Sequence, residues 1–191
     1  MLTASELVPG NPPWRRRGLF RSEYDHLVAL GVFEGQKLEL LEGELIEMSP
    51  SHEPHAYAIR ILIRLLPAAL LGRADVLIQL PFALSDRSEP EPDVALIDPA
   101  ASGTEHPSSA FLLIEVAESS LGYDRGPKLR AYAAARVPEY WVVSTERRCV
   151  YVYRGPDGED YTSQATATVT DLVSPLAFPD VVIPVRALFA G

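Results

Sequence analysis

Cys149 is the only cysteine among 191 residues. A disulfide within the chain is excluded, and so is a zinc site built on several cysteines. Its run, Cys149-Val150-Tyr151-Val152-Tyr153, alternates like a strand and predicts a buried structural thiol. Basic charge is also scarce: 17 Lys and Arg against 26 Asp and Glu leave a net charge of −9. Such a chain does not coat nucleic acid nonspecifically, so any role on nucleic acid must work through a local site or a bound cation. No Gly-rich loop follows a strand, which argues against a nucleotide-cradling fold. No Gly-x-Ser-x-Gly elbow occurs, which argues against a serine hydrolase. The longest apolar stretch, around Ile59–Leu71, is broken by Arg64 and is too short to span a bilayer. No apolar segment with a basic lead is present at the N-terminus, so the expected location is the cytoplasm, with no membrane partner.

Apolar residues make up 47% of the chain, enough for a core without metal or disulfide staples. Residues 1–18, with Pro9, Pro12, Pro13 and Arg15-Arg16-Arg17, read as a flexible arm, and 19–191 as a single domain. Ser22 is a candidate cap for a short helix carrying Tyr24, Leu27, Val28 and Leu30, ending at Gly31 or Gly35. Lys37–Leu41 and Glu44–Met48 flank Glu42-Gly43, the pattern of a β-hairpin. From Pro54 to Leu71, Ile59, Leu62, Ile63, Leu66 and Leu70 follow a helical period, with Pro67 expected to bend or shorten the helix. Strands are expected at Val76–Leu80, Val94–Ile97, Phe111–Val116, Glu139–Val143, Cys149–Tyr153, Tyr161–Val169 and Val181–Ile183, with a helix from near Asp124 to Arg136. The fold class is mixed α/β or α+β.

Two acids stand out. Asp93 enters the apolar strand Val94–Ile97, and Glu115 lies inside the apolar run Phe111–Val116. A carboxylate in such a run must be paired, protonated or bound to metal. Two of them about 4 Å apart repel by roughly 4 kcal/mol at an effective dielectric near 20. A divalent cation between them turns that repulsion into a site, and oxygen-only ligation suits Mg²⁺ or Mn²⁺. The same acids also fit an edge-strand residue and an unrelated polar-face residue. Asp124 and Lys128, four apart, share a helix face either as an ion pair worth a few tenths of a kcal/mol or with the lysine turned toward the end of the Glu115 strand. His52 and His55, three apart at a helix entrance, are read as surface or capping residues rather than a zinc pair.

Pro92-Asp93, Glu115-Val116, Asp124, Lys128, Tyr132 and Val137-Pro138-Glu139-Tyr140-Trp141, in that order, resemble the PD-(D/E)xK nuclease superfamily. The resemblance is to its bacterial restriction-endonuclease branch, which the hairpin Leu38–Leu45 and His55 also match, and it runs from about residue 22 to the end. It implies a restriction-endonuclease-like core, a mixed β-sheet flanked by helices with an N-terminal β-hairpin. Asp93 and Glu115 are then the metal ligands for Mg²⁺ (or Mn²⁺). The superfamily's lysine normally stands two residues after the acid, where this chain has Ala117; the branch moves it to the following helix, here Lys128. Glu118-Ser119 and Ser144-Thr145 stand where Ser-Pro and Asp-Pro are common in the branch.

The implied activity is metal-dependent hydrolysis of DNA phosphodiester bonds, with Asp93, Glu115 and Lys128 catalytic. Asp124 is a candidate to hold Lys128, and Glu39 and His55 are candidates for the outer shell. Tyr140 and Trp141 are expected in the core rather than stacked on bases. The alternatives are a nuclease-like protein that binds without cutting and a phosphoesterase acting on small nucleotides. Two-strand cleavage favours a homodimer, with Leu176, Phe178, Val181, Leu188 and Phe189 as a candidate interface.

Overall fold

The computed structural model describes residues 17–49 and 52–190. The first sixteen residues of the expected arm, with Arg15 and Arg16, lie outside the described residues, as do Pro50 and Ser51. The core is a six-stranded mixed sheet of β3 (Asp75–Leu77), β4 (Val94–Ile97), β5 (Leu112–Ala117), β6 (Glu139–Ser144), β7 (Cys149–Asp157) and β8 (Asp160–Thr168), in that spatial order. Only β5 and β6 run parallel. A parallel pair needs a crossover, and the helical stretch between them supplies it.

Strands β5 and β6 are buried along their whole length because both faces of the sheet are covered. One face (Val94, Leu96, Leu112, Ile114, Val116, Trp141) packs on α2 (Glu53–Leu70) and the C-terminal segment. The other (Ala95, Leu113, Ala117, Tyr140, Val142) packs on α4 (Leu129–Ala134). Helix α2 buries Leu62, Leu66 and Leu70 completely, each contributing about 1.5–3 kcal/mol. Ile63, expected in the core, is exposed. It shares the solvent side with Pro67, so the carbonyl that the proline leaves without a helical donor lies toward water, and α2 continues to Leu70.

Further details differ from the sequence reading, among them the last strand, which spans Ile183–Pro184 rather than Val181–Ile183. The first helix, α1 (Arg21–Ala29), is capped at Phe20 rather than Ser22, and Glu23 reaches back to accept the Phe20 N–H at 3.0 Å. Strand β3 ends three residues early, because Gln79 turns into the left-handed region. Phe178, Val181, Leu188 and Phe189 are buried against α2 and the sheet, so they close the protein's own core; of the five interface candidates only Leu176 is exposed. Tyr140 and Trp141 are fully buried and Cys149 is buried, as expected. The hairpin pairs β1 (Leu38–Leu41) with β2 (Glu44–Glu47) through Glu42 and Gly43, both at positive φ, which matches the twist of the two strands. Among the described residues, no helix is long and apolar enough to cross a membrane.

Candidate active site

The β-sheet register builds the site. Leu77 pairs with Ala95, and Val94 with Ile114. Carried one step along each strand, the register sets Asp93 beside Glu115; carried two residues past Leu77, it sets Gln79 beside Asp93. The row opens into a recess of about 240 Å³ whose walls include Glu39 from the hairpin, His55 from α2, and Asp124 and Lys128 from the crossover.

The crossover is not a plain α-helix. A short α3 (Leu121–Tyr123) runs into a π turn, Asp124–Lys128, and then into α4. Such turns recur at functional sites because they redirect side chains. This one buries both Asp124 and Lys128, and Lys128 is 0% exposed. The surface ion pair that the spacing allowed is therefore absent. The ammonium instead bonds Glu115 Oε1 at 2.9 Å and faces Glu39 Oε2 at 3.1 Å. Asp124 takes its bond from the Ser120 hydroxyl, and its main-chain carbonyl accepts the Tyr140 hydroxyl at 3.0 Å. It acts on Lys128 through charge, without a hydrogen bond to it.

Glu115 Oε1 also accepts the Tyr132 hydroxyl at 2.7 Å. Two donors thus converge on one oxygen, and among the described residues Oε2 accepts none. Asp93 is held at both oxygens: Oδ2 contacts His55 Nε2 at 3.1 Å and accepts the Val116 N–H at 2.8 Å, and Oδ1 accepts Gln79 Nε2 at 3.0 Å. The Asp93 contact requires the proton of His55 on Nε2, since two facing lone pairs would repel. His52 goes elsewhere, to Glu118 at 3.1 Å, so the two histidines do not converge. Tyr123 donates to Glu39 Oε1 at 3.0 Å, its ring 5.7 Å from the ammonium.

Four buried carboxyls, Glu39, Asp93, Glu115 and Asp124, thus line one recess with the Lys128 ammonium. Burial, reinforced by Asp93, Asp124 and Glu39 and opposed by Lys128, pushes the Glu115 carboxyl up to about 8. Burial likewise lifts Asp124 to about 6 against Lys128 and Ser120. Burial works against the charge on Lys128, but Glu115, Glu39 and Asp124 outweigh it and raise the ammonium's pKa. For Asp93, burial is overcome by the bond and charge of His55 and by the Val116 and Gln79 donors, and its pKa is lowered. The two central acids therefore shift oppositely, where paired carboxylates alone would both have shifted upward. Glu115 meets excess negative charge and Asp93 meets donors.

The donors fit a hard divalent cation: Glu115 Oε2 is open, Asp93 Oδ1 keeps one lone pair, and both line the recess. Among the described residues, no three His, Cys, Asp or Glu side chains are grouped so as to hold an ion by themselves. Mg²⁺ is commonly bound through one or two carboxylates, with water and phosphate completing its shell.

Gln79, Tyr123 and Tyr132 were not singled out as site residues from the sequence. Tyr132 carried a signal, because it stands four residues after Lys128 and so shares its face. Lys128 carried another, as one of only two lysines, with Lys37, in the chain.

A family model described as "Uma2: Putative restriction endonuclease" matches residues 21–186. Four chains of solved structures match as well. One, from Anabaena variabilis ATCC 29413, is described as "a putative nuclease belonging to DUF820". It aligns with a TM-score of 0.67 and 15% identity over 81% of this chain and 90% of that chain, a likeness of fold. No curated protein matches the chain.

Proposed function

Because the chain belongs to the Uma2 family, within the PD-(D/E)xK restriction-endonuclease-like superfamily, we propose that it hydrolyses DNA phosphodiester bonds with a divalent cation held by Asp93 and Glu115. One observation carries the reading: Glu115 presents an open carboxylate oxygen beside Asp93 while its other oxygen is tied to Lys128 and Tyr132.

Mg²⁺ or Mn²⁺ bound there supplies a water of lowered pKa and offsets charge on the phosphate. Lys128 has three N–H donors; Glu115 and Glu39 engage two, and the third is available to a water or a phosphoryl oxygen. Tyr132 and Glu39 keep the ammonium and Glu115 in place, and Tyr123 and Ser120 orient Glu39 and Asp124. His55 holds Asp93 from the N-terminal turn of α2.

The test is nicking of supercoiled plasmid by purified protein in Mg²⁺ or Mn²⁺, in chelator, and with Glu115→Gln. Cleavage that is lost in chelator, and that falls more than about 100-fold in the variant, exceeding the loss of an outer-shell partner, supports the reading. Cleavage unchanged in Glu115→Gln would sink it. A small phosphodiester substrate belongs in the same assay, because Glu47, Glu91 and Glu118 also line the recess. Fixed negative charge at the rim repels a polyanion more than a small ester, which favours the phosphoesterase as second reading.

A further inference from the structure

Gln79 stands just beyond β3 with φ at 49°, a conformation that glycine adopts freely and that a longer side chain rarely takes. Among the described residues, all of its polar contacts go to one short segment. Its main-chain N–H donates to the carbonyls of Pro92 at 3.1 Å and Asp93 at 3.3 Å. Its side-chain Nε2 donates to Asp93 Oδ1 at 3.0 Å. The backbone bonds alone would be met by glycine at no steric cost, so the side chain needs a reason of its own.

A carboxylate turns easily about its last bond, where the torsional wells are broad. Val116 and His55 anchor only Oδ2 of Asp93. Gln79 supplies the one bond that Oδ1 receives among the described residues, and anchoring both oxygens fixes the plane of the group. The donor is also neutral. A lysine or arginine there would pin the carboxylate equally well and cancel the charge that a cation needs. We propose that Gln79 is a positioning residue that locks the plane of Asp93, leaving the second lone pair of Oδ1 ready for the cation shared with Glu115. This rests on the cation-site reading above.

Two variants separate positioning from folding. Gln79→Met keeps the length and the backbone conformation and removes the N–H donor. Gln79→Gly removes the donor and relieves the backbone. Mn²⁺ affinity is measured by calorimetry on the whole protein, and the thermal midpoint is measured in chelator. The expected result is a loss of Mn²⁺ affinity of about 10–100-fold in both, with the glycine variant's midpoint at or above that of the wild type. Wild-type affinity in either folded variant overturns the proposal. So does a fall in midpoint of the glycine variant, which would make Gln79 a folding residue. A wild-type protein that takes up no Mn²⁺ overturns the cation site itself, a result distinct from equal binding by wild type and variants.

Discussion

Glu115 and Glu139 are both buried glutamates, on the adjacent parallel strands β5 and β6, and they are treated in opposite ways. Glu139 Oε1 accepts the Trp141 indole N–H at 2.9 Å and the Arg154 guanidinium at 2.7 Å, and its Oε2 accepts the Leu176 N–H. Both oxygens are matched and a cation faces the charge, so this carboxylate fastens the C-terminal segment to the sheet. Glu115 has one oxygen matched twice and the other open, with three more buried carboxyls in the same recess. A buried acid whose lone pairs and charge are both answered serves the fold. One that the fold leaves partly unanswered is available for a ligand.

Breaking each glutamate in turn gives the largest contrast. Glu139→Ala strands the buried Trp141 indole N–H and takes the acceptor from the Leu176 N–H and from Arg154, whose side chain is 36% exposed. The expected loss is about 3–5 kcal/mol by chemical denaturation, the sum of the bonds made to a charged acceptor. Glu115→Gln replaces a carboxyl that burial in a crowded acidic cluster already pushes toward its neutral form, and is expected to cost little. Equal losses would erase the distinction.

Lys128→Met comes next. The spacing to Asp124 had suggested a surface pair whose loss the fold would ignore, but the ammonium is buried between Glu39 and Glu115. Its removal is expected to cost about 3 kcal/mol, the low end for a broken buried pair, because a carboxyl left behind can neutralise itself by protonation. The deficit should shrink in saturating Mn²⁺. A variant as stable as wild type in chelator would show that Lys128 is not electrostatically engaged.

A further effect is spread over pH. In cation-free protein Glu115 is raised to about 8 from an ordinary 4.5. The folded state therefore binds the proton more tightly than the unfolded one. Its contribution is whole below the ordinary value and is lost as pH rises toward 8, on the order of a few kcal/mol. Denaturation at several pH values in chelator checks this. Glu115→Gln should flatten the slope and Glu139→Gln should keep it; the reverse pattern would exchange the roles of the two glutamates.

Much of this was legible in the residues. Asp93 and Glu115 betrayed themselves as charges in apolar runs, and those same runs fixed β4 and β5. Glu42-Gly43 gave the hairpin, and with it the strand that carries Glu39. The depth of Lys128 was not legible, because an Asp and a Lys four apart look alike whether a helix faces water or core. Gln79 was hidden for a different reason. Its role depends on a positive φ that only glycine or asparagine usually announces. The C-terminal apolar residues had the composition of an interface, and nothing local distinguishes a segment that covers its own sheet from one that covers another copy's.

The π turn gives the lysine's position an angular rather than a linear meaning. Four residues carry an α-helix about 40° past a full turn, so acids and bases spaced by fours drift around its surface. A turn closed by i→i+5 bonds is wider and absorbs that drift. Asp124 and Lys128 consequently both line the recess, and Lys128 and Tyr132 meet at Glu115 Oε1, where an unbroken α-helix would have fanned the three apart. Counting residues from Glu115 cannot locate such a lysine. What fixes it is the heading of the helix as it crosses the end of β5, so a chain can displace its lysine along the sequence and still deliver the ammonium to the same carboxylate.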